Sequence, residues 1–227
     1  MPSLLEAEGI SRKYRVGDND LEVLRDVDLT VEAGEVVAVV GPSGVGKSTL
    51  LHILGGLDRP SSGTLRISQT DVFSLSDSDL AQFRNESIGF VFQFHHLLSD
   101  FTAVENVMLP LMIQGRSRTD ANRAASEMLE RVGLGERRDH LPSELSGGES
   151  QRVAVIRALV THPQLVLADE PSGNLDAGRS AELHDLIWHL AEEFHQTFVI
   201  ATHDMALAER ADRVVQMSKG WIVEDLN

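Results

Sequence analysis

Apolar and polar positions along the chain fall into two regimes. Glu35 to Val40, Ile88 to Phe92, Leu165 to Ala168 and Thr197 to Ala201 are short, nearly unbroken apolar runs bounded by polar or turn residues. Such runs predict strands covered on both faces, the mark of a parallel sheet. Val27-Asp28-Leu29-Thr30-Val31 alternates instead and predicts a half-exposed strand, with further strand-like patches at residues 5–14 and 64–67. Arg213 to Met217 and Trp221 to Val223 predict a closing hairpin about Lys219-Gly220.

The helices announce themselves by period and by cap. Ser48 to Leu54 follows a glycine-rich turn, and Ser76-Asp77-Ser78-Asp79 opens a short helix through Leu80 and Phe83 with a capping-box pattern. From residue 94 the character becomes wholly helical. Thr102 and Glu105 form a second capping box ahead of a stripe at Val104, Val107, Met108 and Leu111. Ala121, Ala125, Met128, Leu129 and Val132 share one face of the next helix, which Gly133 is placed to end. A third runs through Val153, Ile156, Leu159 and Val160. Residues 94–157 therefore predict a helical lobe inserted into an α/β core of 1–93 and 158–227, all in a single domain. A last helix, 178–194, carries Leu183, Leu186, Ile187 and Leu190.

In a mainly parallel sheet, ligands collect beyond the carboxyl ends of the strands. Gly41, Gln93, Asp169 and His203 each directly follow an apolar strand, which points to one shared site. Gly41-Pro42-Ser43-Gly44-Val45-Gly46-Lys47-Ser48-Thr49 has the glycine spacing and the Gly-Lys-Ser ending of a phosphate-binding loop, set between a strand and a helix. Its glycines let successive N–H groups turn toward an anion, and the helix start adds partial positive charge. Lys47 supplies a mobile cation for the outer phosphates, and the Ser48 hydroxyl can ligate Mg²⁺. A nucleoside triphosphate is the expected ligand.

Phosphoryl transfer further needs a metal partner and an oriented water. Asp169 at a buried strand end suits Mg²⁺ jointly with Ser48, through a water, and Glu170 beside it is a candidate general base. Gln93 can reach both the metal and the γ-phosphate. His203 can either donate to that phosphate or hold the water and Glu170 in line. Tyr14, the only tyrosine, suits stacking on an adenine or plain packing at a strand edge, and the residues alone leave both open.

Leu145-Ser146-Gly147-Gly148-Glu149-Ser150-Gln151-Arg152 makes a second anion cradle at a helix start. One nucleotide does not need two cradles on separate lobes, so a dimer is expected, the cradle of one chain closing over the nucleotide of the other.

Composition narrows the class. A net charge of −15, from 35 acids and 20 bases, disfavours nucleic acid as a partner. The absence of cysteine removes disulfides, thiolate metal sites and cysteine nucleophiles. No apolar run approaches the ~20 residues that span a bilayer, and the first residues carry acids rather than a basic secretory start. A location on the cytoplasmic side, with any membrane role carried by a partner, is expected.

With Ser172-Gly173-Asn174-Leu175-Asp176 added, these stretches occur in the order of the Walker A, Q-loop, signature, Walker B, D-loop and H-loop motifs, and the chain resembles the ATP-binding cassette (ABC) ATPases throughout its length. The resemblance implies a P-loop NTPase of RecA-like, mainly parallel sheet, with an N-terminal antiparallel β part and an inserted helical subdomain. It implies a head-to-tail dimer with two ATP sandwiched between Lys47, Ser48, Asp169 and Glu170 of one subunit and Ser146, Gly147, Gly148 and Glu149 of the other. Asp176 falls in the D-loop, and Tyr14 falls where the family places an adenine-stacking aromatic. Glu149 stands where many members have Gln.

Leu51 to Asp58 and Gly173 to Asp176 resemble the group that includes macrolide exporters, the division-type ATPase and the lipoprotein-releasing ATPases. Residues 89–98 and 100–107 resemble the last of these most closely. They follow the Q-loop, where the family docks its membrane subunits, so Phe94, His95, His96, Leu97, Leu98 and Phe101 are candidate partner contacts. The apolar ones equally suit core packing, and the His95-His96 pair lacks the further ligands a metal site needs. The expected function is ATP hydrolysis that powers lipoprotein release from an inner membrane. The alternatives are macrolide or peptide export, where the membrane part is usually fused to the cassette, and a regulatory ATPase gating a cell-wall hydrolase. Soluble family members of translation or DNA repair fit less well, because they carry a second cassette or a long coiled-coil insertion.

Overall fold

A computed structural model describes residues 3–17 and 19–226. Ten strands and seven helices follow in the order β1 (Leu5–Val16), β2 (Asn19–Val31), β3 (Val36–Val40), α1 (Lys47–Leu54), β4 (Ser62–Ile67), β5 (Thr70–Asp71), α2 (Asp77–Ser87), β6 (Ile88–Val91), α3 (Ala103–Ile113), α4 (Arg118–Arg131), α5 (Gly147–Leu159), β7 (Leu165–Asp169), α6 (Ala177–Phe194), β8 (Thr197–Thr202), α7 (Met205–Ala208), β9 (Arg213–Ser218) and β10 (Trp221–Leu226). They build two sheets. The smaller is antiparallel in the order β2-β1-β4-β5; the larger runs β10-β9-β3-β8-β7-β6. In the larger sheet β9, β3, β8, β7 and β6 are parallel, and only β10 runs against its neighbour β9.

The apolar runs are strands because side chains alternate between two cores, one on each face of the large sheet. Leu165 and Leu167 of β7 point to one core, with Val37 and Val39 of β3 and Val199 of β8. Val166 and Ala168 point to the other, with Phe198 and Ile200. The first core includes the buried residues of the small sheet and all four buried apolar residues of α1 (Leu50, Leu51, Ile53, Leu54), so α1 lies between the sheets. The second holds the apolar faces of α3, α4, α5 and α6. Gly89 of β6 faces α5 so closely that a Cβ there would sit 2.3 Å from the Ala158 carbonyl oxygen. No larger residue leaves room for that contact.

The capping boxes read at Thr102 and Glu105 and the cap at Ser76 are present. β2 starts at Asn19, well before the alternating stretch at 27–31. Its first half lies near the strand's exposed end, where Leu21 is 57% exposed and only Leu24 is buried, so burial imposes little pattern on it.

Register gathers the strand ends. Val40 pairs with Thr202, Asp169 with Ala201, and Val91 with Ala168. Residues 41, 92–93, 170 and 203 consequently emerge along one rim.

Candidate functional site

The rim opens on a cleft of about 570 Å³ lined by Ser43, Gly44, Gly46, Lys47, Ser48, Thr49, Gln93, Glu170 and His203, with Val23 of β2. Five separated stretches of sequence thus meet at one place. Gly44 and Gly46 take φ of 77° and 114°, a left-handed turn that glycine adopts without Cβ penalty. Gly46 is the N-cap of α1, and no side chain caps this helix. α2, α3, α4, α5 and α6 are instead capped by Ser76, Thr102, Ser117, Ser146 and Asp176. The first N–H groups of α1 are therefore left to an anion, as the loop chemistry requires.

Lys47 is buried, and its Nζ donates to the carbonyl oxygens of Gly41 at 2.8 Å and Pro42 at 3.4 Å. The same Nζ lies 3.5 Å from Glu170 Oε1. The other oxygen of Glu170 accepts from the His203 backbone N–H at 3.2 Å and lies 2.7 Å from His203 Nδ1. A carboxylate can only accept, so Nδ1 carries the proton in this pair. In the neutral ring Nε2 is then an acceptor, which fits His203 better to holding water and Glu170 in line than to donating to phosphate. Glu170 itself has φ of 47°, a left-handed backbone that costs a non-glycine residue about 1–3 kcal/mol. Its N–H donates to the Ala201 carbonyl at 2.8 Å, and its own carbonyl accepts from Gly173 N–H at 3.0 Å, so the strain is held from both sides. That strain turns the carboxylate from the sheet into the cleft.

Asp169 stays behind, at the end of β7. Burial raises its pKa; the Ser48 hydroxyl, His52 and Lys47 pull it back, and the neighbouring Glu170 pushes it further up. Its Oδ1 is buried without a hydrogen-bond partner in the protein. An unsatisfied carboxylate oxygen beside a serine hydroxyl is what a hydrated divalent cation would satisfy, so the donor set fits Mg²⁺. Asn174 holds Gln93 at two points: Gln93 Nε2 donates to Asn174 Oδ1 at 3.3 Å, and Asn174 Nδ2 donates to the Gln93 backbone carbonyl at 2.9 Å. The segment after Glu170 is thereby tied to the strand end that carries Gln93.

Other residues named from the sequence lie elsewhere. Tyr14 lies outside the cleft lining; its hydroxyl donates to Asp58 Oδ2 at 2.7 Å, and the Arg12 guanidinium covers one ring face at 4.5 Å. Ser146, Gly147, Gly148 and Glu149 open α5 and also lie outside the lining. There Ser146 and Glu149 form a closed capping box, Ser146 N–H donating to Glu149 Oε2 at 2.7 Å. That backbone hydrogen bond lowers the Glu149 pKa, with the Ser146 hydroxyl, Arg137 and Arg152 adding and burial opposing. Asp176 caps α6 through Arg179 N–H. Val23 in the lining has no signal in the sequence, since its strand is the weakly patterned half of β2.

The stretch after Gln93 divides. Phe94, Leu98 and Phe101 are exposed by 64%, 47% and 38%, and Phe101 shares a shallow groove with Met112 near the end of α3. Leu97 instead packs against the helical core. Beneath the loop, Arg157 of α5 donates to the His95 and His96 carbonyls at 2.8 Å each.

Residues 24–173 match the ABC transporter family. The lipoprotein-releasing system ATP-binding protein LolD of Shewanella oneidensis is 53% identical over 96% of this chain and 95% of its own. That of Geobacter metallireducens is 53% identical over 99% and 100%, and that of Porphyromonas gingivalis 50% over 98% and 100%. Among solved structures, a dimeric ATP-binding cassette in a post-hydrolysis state bound to ADP and phosphate is 35% identical, with a TM-score of 0.91 over 98% of both chains.

Proposed function

This chain belongs to the ABC transporter family, and from that premise we propose that it is the ATP-hydrolysing subunit that powers release of lipoproteins from an inner membrane toward the outer one. The ATPase activity follows from the family. The lipoprotein cargo is supported by full-length relatives at 50–53% identity that carry that name. One observation carries the chemistry: the Glu170 carboxylate is fixed between Lys47 Nζ and His203 Nδ1 at the mouth of the phosphate-loop cleft.

The loop N–H groups and Lys47 would bind the β- and γ-phosphates, and the adenine would stack on Tyr14. Ser48, with Asp169 through a water and Gln93, would hold Mg²⁺, which offsets charge building on the phosphate oxygens. Glu170 would take a proton from the attacking water as its oxygen bonds to the γ-phosphorus and the bond to ADP breaks. His203 keeps Glu170 aimed. Lys47 Nζ lies 3.5 Å from Glu170, so the phosphate it binds is drawn to the side of the cleft where the base sits.

Ser146, Gly147, Gly148 and Glu149 lie apart from the cleft on their own chain, which favours a head-to-tail dimer in which they close over the partner's nucleotide. The 94–157 lobe would carry that motif at one end and present Phe94, His95, His96, Leu97, Leu98 and Phe101 to two membrane subunits. Among the described residues no helix is long and apolar enough to cross a membrane. A peripheral place on the cytoplasmic face of the inner membrane fits that docking. Closure on ATP and release after hydrolysis would then move the membrane subunits.

The test is reconstitution in proteoliposomes with co-purified membrane subunits. ATP-dependent release of an acylated lipoprotein supports the proposal, whereas peptide or macrolide efflux without lipoprotein release refutes the cargo.

A further inference from the structure

Glu170 and His203 each lead into a segment that turns back into the protein, and both segments meet the same side chain. His184, on the sheet-facing side of α6, is 5% exposed. Its Nε2 lies 2.8 Å from the hydroxyl oxygen of Ser172, two residues beyond Glu170. It also lies 4.0 Å from Oδ2 of Asp204, the residue after His203. Asp204 spends its other oxygen on capping α7, accepting from Ala206 N–H at 2.9 Å and Leu207 N–H at 3.3 Å, so Oδ2 is the one turned to His184.

The electrostatics suit a neutral bridge. Burial lowers the His184 pKa; the Asp204 carboxylate opposes this, Arg210 adds to it and Asp185 opposes it. The nearby carboxylate favours the tautomer with the proton on Nε2, which then donates to Ser172 Oγ. A neutral donor can hold the hydroxyl without drawing the carboxylate out of its cap.

We propose that His184 is a positioning residue for ATP hydrolysis, closing a ring that runs Glu170, Ser172, His184, Asp204, His203 and back to Glu170 through the Glu170–His203 hydrogen bond. It rests on the reading of Glu170 as the base. The ring has backbone on two sides, the Ser172–His184 and His203–Glu170 hydrogen bonds on two more, and a 4.0 Å electrostatic contact between His184 and Asp204 on the fifth. Glu170 occupies a strained left-handed conformation, and the segment that follows it is one of the two anchors that hold it there, β8 being the other. Loosening Ser172 lets that segment relax, and Glu170 drifts from His203 and the water line. Glu170 reaches the phosphate loop through Lys47 Nζ, but Ser172, His184 and Asp204 lie outside the cleft lining, so altering His184 or Ser172 leaves the loop intact and ATP affinity nearly unchanged.

The experiment compares His184→Leu, His184→Gln and Ser172→Ala by steady-state ATPase, with thermal melting of each. His184→Leu is expected to lower kcat about tenfold, as small misplacements of a catalytic group do, with KM for ATP unchanged within about twofold. His184→Gln keeps an N–H donor and restores most of kcat. Ser172→Ala lowers kcat alone and adds nothing in the His184→Leu background, since both remove one bond. Wild-type kcat in His184→Leu overturns the proposal. So does a loss that Gln fails to restore while melting temperature falls in parallel, which marks packing only. Glu170→Gln run alongside separates the two levels: retained turnover there refutes the base itself, whatever His184 does.

Discussion

Asp169 offers the sharpest test, because it should harm the protein until a metal arrives. Its Oδ1 is buried and unpartnered, and burial has raised its pKa despite Ser48, His52 and Lys47. A raised pKa means the folded protein binds that proton more tightly than the unfolded chain does. The ionised carboxylate therefore costs stability, least below its ordinary range and most once the pH has risen past the folded value. A buried acceptor left unsatisfied costs about 1–3 kcal/mol. Asp169→Asn removes the charge at nearly constant volume, at the loss of attraction to Lys47. Taking the lower end of that range, about 1 kcal/mol raises the melting temperature of a chain this size by about 2–4 °C. Thermal melting without nucleotide should show this gain at pH 8 and a smaller one as the pH is lowered. With Mg²⁺ and ATP the order should invert, because wild type gains ligand stabilisation and the variant loses the metal partner. A variant that melts at or below wild type without nucleotide would refute the account of Asp169 as an unmet metal partner.

Lys47→Ala should abolish ATP binding, read by nucleotide fluorescence titration, while Glu170→Gln should keep ATP binding and lose turnover by at least about a hundredfold. Gly89→Ala should destabilise by about 1–3 kcal/mol in urea unfolding, since its Cβ would meet the Ala158 carbonyl at 2.3 Å and push α5 from β6. Phe94→Asp should leave basal ATPase within twofold yet prevent co-purification with membrane subunits in detergent.

The phosphate loop, the four apolar strands and the acid pair at 169–170 were legible in the sequence, because each is set by local chemistry: glycine spacing, runs buried on both faces, charge at a strand end. Their convergence was legible too, since parallel register leaves few places for residues 41, 93, 169 and 203 to go. What local pattern cannot carry is pairing across the sheet. Val23 enters the cleft from the exposed half of β2, where burial imposes no alternation. The strained turn at Glu170 comes from hydrogen bonds to Ala201 and Gly173, and the bridge at His184 depends on a helix laid across two loops. A histidine within the apolar stripe of α6 looks like any other interior residue until its neighbours are known.

The placing of α1 between the two sheets bears on how such a machine divides labour. Leu50, Leu51, Ile53 and Leu54 are all fully buried there, so the apolar face of the helix behind the phosphate loop is held between the sheets. In the proposed cycle, rotation would then take place around this helix. The nucleotide's phosphates would serve as a fixed origin, and the reach of the outer helices would set how far any stroke extends.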